Sequence, residues 1–159
     1  MQIKIIVIGK LKEKYWQEAA GEYLKRLKSY AAVEILEVPE ERLPEKPSPA
    51  EIRQALQKEG ERVERLLGDD RLTIALAIEG QSFSSPQLAA KLEQFSLEGK
   101  SRLAFLIGSS YGLGAGLMAR ADLAWSFSRL TFPHQMMRVI LLEQLYRAFS
   151  IHQGGKYHK

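Results

Sequence analysis

Three apolar segments, each ending in glycine, constrain the fold of this 159-residue chain more than any other feature. They are IKIIVIG (residues 3–9), LTIALAIEG (residues 72–80) and RLAFLIG (residues 102–108). Short continuous apolar runs that are rich in β-branched residues and bounded by turn signals predict strands buried on both faces. Strands of this kind belong to parallel sheets, whose members are joined by helical crossovers.

Helical patterns separate these strands. Residues 13–29 carry apolar side chains at helical spacing, and Ser48, Pro49 and Glu51 have the signature of a capping box at a helix start. The other predicted elements are a half-buried strand at 33–38, a segment at 123–128, and helices at 85–97 and 131–149. We therefore expect a single domain over residues 1–159, an α/β fold with a mostly parallel sheet and helices on both faces. Such sheets bind ligands beyond the carboxyl ends of their strands, here Gly80, Gly108 and Ser128.

The composition excludes several classes of site. The chain has no cysteine, which rules out disulfides, thiolate catalysis and cysteine–zinc sites. Its histidines, His134, His152 and His158, lack metal-ligand spacing, so we expect no metal. No apolar run approaches the ~18 residues of a membrane span, and the N-terminal apolar segment is too short for a secretory signal. We expect a cytoplasmic protein with no membrane partner.

The charge of the chain is unevenly distributed. Residues 1–30 contain seven basic and three acidic side chains, and residues 129–159 contain five and one. Residues 31–70 contain six basic and eleven acidic side chains. The basic ends indicate either a solvated surface or a patch that binds a polyanion. Because the sequence shows no basic amphipathic helix, RNA is a better candidate for that polyanion than a membrane surface.

A glycine-rich loop follows the strand that ends at Gly108. Residues 108–112, GSSYG, match the G-x-S-x-G pattern of a nucleophile elbow, with Asp122 and a later histidine in the order of a hydrolase triad. The glycines after Ser110 are poor helix formers, whereas an elbow needs a helix there. The loop also lacks the spacing of a dinucleotide site. Unpaired backbone groups at such a strand end could still bind an adenine or a carboxylate. The alternative is that the loop is a plain turn with no ligand.

The segment TFPHQMMRVILLEQLYRAF (residues 131–149) predicts a helix that is apolar on almost every side. Pro133 favours a helix start there, and the following N–H groups have no partner within the helix. Because a small domain seldom buries several sides of one helix, we expect a subunit interface. His134 is either a satisfied residue at a helix start or a ligand contact. Arg138 is either part of an ion pair or a ligand contact.

The end of the chain, GGKYHK, has the composition of a flexible terminus. Tyr157, His158 and Lys159 nevertheless combine a ring that can stack, a proton acceptor and a cation. These are the groups that an enzyme uses to bind a flipped-out base and to remove a proton from it.

Several of these motifs occur together in one known family. FPHQMMRVILLEQLYRAFSI with a terminal YHK, preceded by SFSRLT and by IGSSYGL after a strand, resembles the ribosomal large-subunit RNA methyltransferase H family. These are pseudouridine N3-methyltransferases of the SPOUT superfamily. The resemblance covers the whole chain, including the early segment KEKYWQEAAGEYLKRL, and is most specific in the C-terminal third.

The resemblance implies a C-terminal trefoil knot, a homodimer packed through helices near the knot, and S-adenosylmethionine bound in a bent conformation within it. Ser109 departs from the family, which usually has a second glycine there, and we expect the backbone path at Gly108 to be retained. The implied cofactor-binding residues are Leu76, Gly108, Phe127, Ser128, Arg129, Leu130, Thr131 and Phe132.

The implied reaction transfers a methyl group to N3 of a pseudouridine in 23S ribosomal RNA on the assembled ribosome. An imide nitrogen becomes nucleophilic as its proton leaves, so a histidine or a stabilising cation would suffice. We expect His158 to contact or deprotonate the base and Tyr157 to position it, with the tail reaching the partner subunit's cofactor. Positive charge would come from Lys159, Arg129 and Arg138.

Two other functions remain open from the sequence. One is a serine hydrolase that uses Ser110 as its nucleophile. The other is a non-catalytic RNA-binding domain, for which the basic ends of the chain are the reason.

Overall fold

The computed structural model describes all 159 residues and consists of five strands and five helices in alternation. The elements in chain order are β1 (Gln2–Ile8), α1 (Lys14–Leu27), β2 (Ala32–Val38), α2 (Pro49–Leu67), β3 (Leu72–Ser82), α3 (Ser85–Leu97), β4 (Arg102–Ile107), α4 (Ala115–Arg120), β5 (Leu123–Ser126) and α5 (His134–His152).

The five strands form one sheet in the order β2-β1-β4-β3-β5, and every pairing in it is parallel. Ile5 lies opposite Ile35 of β2 on one side and Phe105 of β4 on the other. The parallel sheet predicted from the three apolar segments is confirmed. All five strands end at the same edge, where the loops that follow β1, β3, β4 and β5 converge.

Helices cover both faces of the sheet, as predicted. Ile5 and Phe105 belong to a cluster that packs against α1, α3 and α5. Their chain neighbours Ile6 and Leu106 point to the opposite face and pack with residues of α2 and α4. β1 and β4 therefore contribute alternate side chains to two separate cores.

The capping box predicted at the start of α2 is present. The Glu51 amide donates to Ser48 Oγ at 3.2 Å, and the Ser48 amide donates to Glu51 Oε2 at 2.7 Å. α3 begins with the same arrangement, formed by Ser84 and Gln87. Two free N–H groups at each helix start are thereby satisfied.

The last helix begins later and ends later than its sequence pattern predicts. α5 starts at His134 because residues 131–133 form a loop with Pro133 in extended backbone, and it continues to His152. The tail after it is not detached from the fold, since Tyr157 packs its ring against Tyr146 with centroids 4.8 Å apart. No helix in the structure is both long and apolar enough to cross a membrane.

Candidate active site

A cavity of about 390 Å³ opens at the carboxyl edge of the sheet. Its walls come from the ends of β3, β4 and β5, from the glycine turn after β4, and from the loop between β5 and α5. The lining residues are Leu76, Ala77, Ile78, Ile107, Gly108, Ser109, Ser110, Gly112, Trp125, Ser126, Phe127, Ser128, Leu130, Thr131, Phe132, Pro133, His134 and Met137.

An irregularity in β3 opens the first wall. β3 pairs with β5 as far as Leu76 and again from Gln81, so the residues between them leave the ladder. Ala77 and Ile78 of this segment line the cavity. The two strands meet again closely, because a Cβ on Gly80 would lie 2.6 Å from the carbonyl carbon of Ala124.

The turn after β4 forms the second wall. The Gly112 amide donates to the Ser109 carbonyl at 2.8 Å, and Gly112 adopts a φ of 81°. A Cβ on Gly108 would lie 2.3 Å from the Gly112 carbonyl carbon, so this position has no space for a side chain. The turn is fixed by its glycines and places backbone groups at the end of β4.

Ser109 is tied to a buried carboxyl group. Ser109 Oγ donates to Glu59 Oε2 at 3.1 Å, and the Glu41 amide donates to Glu59 Oε1 at 2.8 Å. Glu59 is only 2% exposed, and its burial raises the pKa of the carboxyl group in spite of these two hydrogen bonds. Ser109 thus links the turn to α2.

The loop between β5 and α5 forms the third wall and is braced internally. Ser126 Oγ donates to the Ser128 carbonyl at 3.0 Å, and the Leu130 amide donates to Ser128 Oγ at 3.0 Å. Trp125 lies beneath this loop, with its ring centroid 4.3 Å from that of Phe127. Its Nε1 is buried without a hydrogen-bond partner, which is an uncommon state for an indole.

The structure brings together seven of the eight residues predicted to bind the cofactor. Arg129 is the exception, because its side chain is exposed and does not line the cavity, although both of its chain neighbours do. The sequence interpretation missed Trp125 and Glu59. Glu59 had a detectable signal, since it falls on the apolar stripe of α2 between Leu56 and Val63.

Arg138 is a buried side chain that forms an ion pair with the exposed Glu37, and it does not line the cavity. Its Nη1 donates to Glu37 Oε1 at 2.6 Å and its Nη2 to the Gly9 carbonyl at 3.4 Å, while the residue is 4% exposed. Burial raises the pKa of Glu37, but the hydrogen bonds from Arg138 and the Leu11 amide more than offset this, so the pKa lies below its usual value. Of the two interpretations of Arg138, the ion pair is the contact that the structure contains.

The C-terminal tail docks on its own α5, away from the cavity of the same chain. Tyr157 donates to Glu143 Oε1 at 3.1 Å, and the Arg147 guanidinium lies 4.6 Å from the centre of the tyrosine ring. Met137 lines the cavity, whereas Tyr146 contacts the tail, and these nine residues of helix correspond to about 14 Å. Within a single chain, the C-terminal tail therefore does not reach the cavity.

Both predicted catalytic residues of the tail have defined neighbours. Burial, the hydrogen bond with Tyr23 and the charge of Glu143 raise the pKa of Tyr157 well above its usual value, so its hydroxyl stays protonated near neutral pH. His158 Nδ1 lies 3.4 Å from Arg147 Nη1 and can only accept from that guanidinium. Lys159 is exposed.

The geometry contradicts a serine hydrolase. Ser110 Oγ donates to Glu40 Oε1 at 3.2 Å and has no hydrogen bond to a histidine. Asp122, the predicted acid of the triad, accepts the Thr73 amide at 2.7 Å. The structure also has no group of three or more potential metal-ligating side chains close together.

Comparison with known proteins gives the family. Residues 1–158 match the family described as "Predicted SPOUT methyltransferase". The chain belongs to the SPOUT methyltransferase family. Curated proteins named "Ribosomal RNA large subunit methyltransferase H" are similar over 159 residues and 100% of both chains, with identities of 52% for Bacillus cytotoxicus, 48% for Enterococcus faecalis and 51% for Bacillus thuringiensis.

Two solved structures share the fold of this chain. A probable methylase family protein from Haemophilus influenzae has a TM-score of 0.59 and 14% identity, covering 99% of this chain and 70% of that chain. A probable methyltransferase from Bordetella pertussis has a TM-score of 0.57 and 15% identity, covering 92% and 93%. At these identities the likeness concerns the fold alone, and it supports the SPOUT-type α/β fold. The trefoil knot stays a prediction.

Proposed function

We propose that this chain is an S-adenosylmethionine-dependent methyltransferase that methylates N3 of a pseudouridine in 23S ribosomal RNA. Its site of action would be the ribosome in the cytoplasm, with residues 1–159 acting as one domain. The observation that carries the proposal is the cavity at the carboxyl edge of a parallel sheet, in a chain about half identical to named ribosomal RNA methyltransferases.

The cavity fits the proposed cofactor. Its volume of about 390 Å³ lies within the usual range of small-molecule sites, and it combines apolar walls with a few polar groups. The unpartnered Trp125 Nε1 is a buried donor in its wall. S-adenosylmethionine would supply an electrophilic methyl group on a sulfonium. The residues proposed to hold it are Leu76, Gly108, Phe127, Ser128, Leu130, Thr131 and Phe132.

The catalytic groups would come from the tail of the second subunit. Because the tail of each chain lies about 14 Å along α5 from its own cavity, we propose a homodimer in which it serves the partner's cavity. The protonated Tyr157 orients the base and is not a proton acceptor. His158 accepts the imide proton or stabilises its loss. The exposed cations Arg129 and Lys159 would contact RNA phosphates.

The test combines cofactor binding with methyl transfer. Calorimetry should show that S-adenosylmethionine binds both the wild type and a variant lacking residues 157–159, with dissociation constants within about twofold. Transfer of labelled methyl to unmethylated large ribosomal subunits should fall by about 100-fold or more in the variant, as expected for the loss of proton transfer.

Two results would contradict the proposal. Normal transfer by the truncated chain would remove the tail from catalysis. RNA binding by a wild type that has no affinity for S-adenosylmethionine would instead identify a non-catalytic RNA-binding domain.

A further inference from the structure

The loop between β1 and α1 presents two unpaired lysines to solvent. Lys10 and Lys12 are exposed, whereas Leu11 between them is half-buried and packs against the main core. None of the ion pairs in the structure includes Lys10 or Lys12. The charge of Lys10 contributes to lowering the pKa of Glu37, but neither ammonium group is held in an ion pair, so both can reach an external anion.

The backbone of this loop is held in place from two elements. The Leu11 amide donates to Glu37 Oε1 at 3.1 Å, and the Lys12 amide donates to Gln135 Oε1 at 3.3 Å. Arg138 donates to the Gly9 carbonyl and also holds Glu37. The ion pair between Arg138 and Glu37 thus helps to fix the loop, and the two lysines extend from a preorganised backbone.

The loop lies directly beside the cavity. A Cβ on Gly9 would be 3.4 Å from Nε2 of His134, which lines the cavity, and Gln135 is the next residue of α5. The acidic neighbours are largely occupied: Glu37 is paired with Arg138, and Glu40 accepts from Ser110. Glu13, at the start of α1, is a further carboxylate close to the loop in the chain.

We propose that Lys10 and Lys12 bind RNA phosphates next to the nucleotide that enters the cavity, and we name this pair the lysine rim. The inference rests on the proposed function, because it takes the substrate to be RNA. Phosphate contacts set the position of a protein on RNA without reading its sequence. A rigid basic loop beside the cavity would hold the backbone on either side of one exposed base.

The test uses two charge-matched double variants. Lys10→Gln with Lys12→Gln removes the lysine rim. Lys25→Gln with Lys28→Gln removes two exposed, unpaired lysines near the other end of α1, a helix of 14 residues that spans about 20 Å. Both lower the net charge by two, so a non-specific effect of charge would appear equally in each.

Binding to large ribosomal subunits is measured by co-sedimentation across a series of salt concentrations. The rim variant should bind about tenfold more weakly near 0.1 M salt, and its log–log salt slope should be smaller by roughly two, since each phosphate contact contributes about 0.9. The control variant and Lys10→Arg with Lys12→Arg should stay near wild type. The affinity for S-adenosylmethionine should be unchanged in all three.

Equal losses in the rim and control variants, or no loss in either, would overturn the lysine rim. Weaker binding with an unchanged salt slope would also overturn it, and would indicate a contact with ribosomal protein. Because binding is measured without methyl transfer, the two proposals fail separately. A wild type that binds subunits through the rim but transfers no methyl group contradicts only the proposed function.

Discussion

At the scale of single residues, Gly108 has no room for a side chain. We expect Gly108→Ala to lower the affinity for S-adenosylmethionine by about tenfold or more, because the new Cβ would meet the Gly112 backbone at 2.3 Å and displace the turn. Gly116→Ala is the matched control, since a Cβ on that helical glycine has no neighbour within 4 Å. It should leave affinity unchanged and stabilise the fold by up to about 1 kcal/mol. Calorimetry and thermal unfolding measure both, and equal affinities of the two variants would contradict the expectation.

Glu59 predicts a pH dependence of stability. Its pKa is raised above 4.5 in the folded protein, so the folded state binds more protons than the unfolded state between 4.5 and that higher value. The contribution of Glu59 to the free energy of unfolding therefore falls as pH rises through this range. The glutamine in Glu59→Gln cannot ionise. The stability of this variant relative to wild type should therefore increase as the pH rises from 5 to 8.

Urea unfolding at these two pH values measures the free energy of unfolding of Glu59→Gln minus that of wild type, which should be larger at pH 8 than at pH 5. Glu61→Gln removes an exposed carboxylate from the same helix and should show no such change. If the two proteins differ in free energy of unfolding by the same amount at both pH values, the pKa of Glu59 is not raised by folding.

At the scale of elements, the tail and α5 form one unit through Tyr157. Its hydroxyl is held by Glu143 and lies 3.5 Å from the Tyr23 hydroxyl, and burial and the nearby carboxylate keep it protonated. The absorbance titration of wild type minus that of Tyr157→Phe isolates this one phenol. It should titrate above its usual range, and Glu143→Gln should shift it towards lower pH. A difference titration at the ordinary pKa of tyrosine would mean that the tail is not docked in solution.

The elements themselves were largely predictable, and the reasons are local. β1, β3 and β4 were visible as apolar runs, and the capping box at Ser48 needed only three residues of sequence. The start of α5 was not predictable, because Thr131 and Phe132 have no feature that separates a cavity loop from a first helical turn. The extension of β3 to Ser82 depends on the renewed pairing with β5, which is a tertiary contact.

The candidate site was predictable where a family motif covers it. The loop that follows Ser126 and the glycine turn were expected from the resemblance, and the structure places them around one cavity. The neighbours of Arg138 were not predictable, since Glu37 is about one hundred positions away in the chain. The lysine rim was equally hidden, because only the folded chain shows that residues 9–12 lie beside His134.

At the scale of the whole molecule, the proposed dimer makes a sharp prediction. A chain with Gly108→Ala has a defective cavity, and a chain without residues 157–159 lacks the proposed catalytic tail, so each should have little activity alone at a low concentration of S-adenosylmethionine. If the tail serves the partner's cavity, random mixing should restore about a quarter of wild-type activity, since half of the dimers are mixed and each has one complete site. Methyl transfer after co-refolding measures this. A mixture that stays inactive while native mass spectrometry shows mixed dimers would place the tail in its own chain.

The order of the strands also governs when this protein can fold during its synthesis. β1 pairs with β4, and Gln2 lies opposite Arg102. The first strand to be synthesised therefore cannot form this pairing until the ribosome has added about a hundred more residues. A nascent chain cannot close its sheet until β4 has left the exit tunnel, by which time most of the protein has been translated. Until then the apolar side chains of β1 lack one of their two neighbours and are open to chaperones and proteases. Premature termination before residue 102 would therefore leave fragments for degradation and no partly working enzyme.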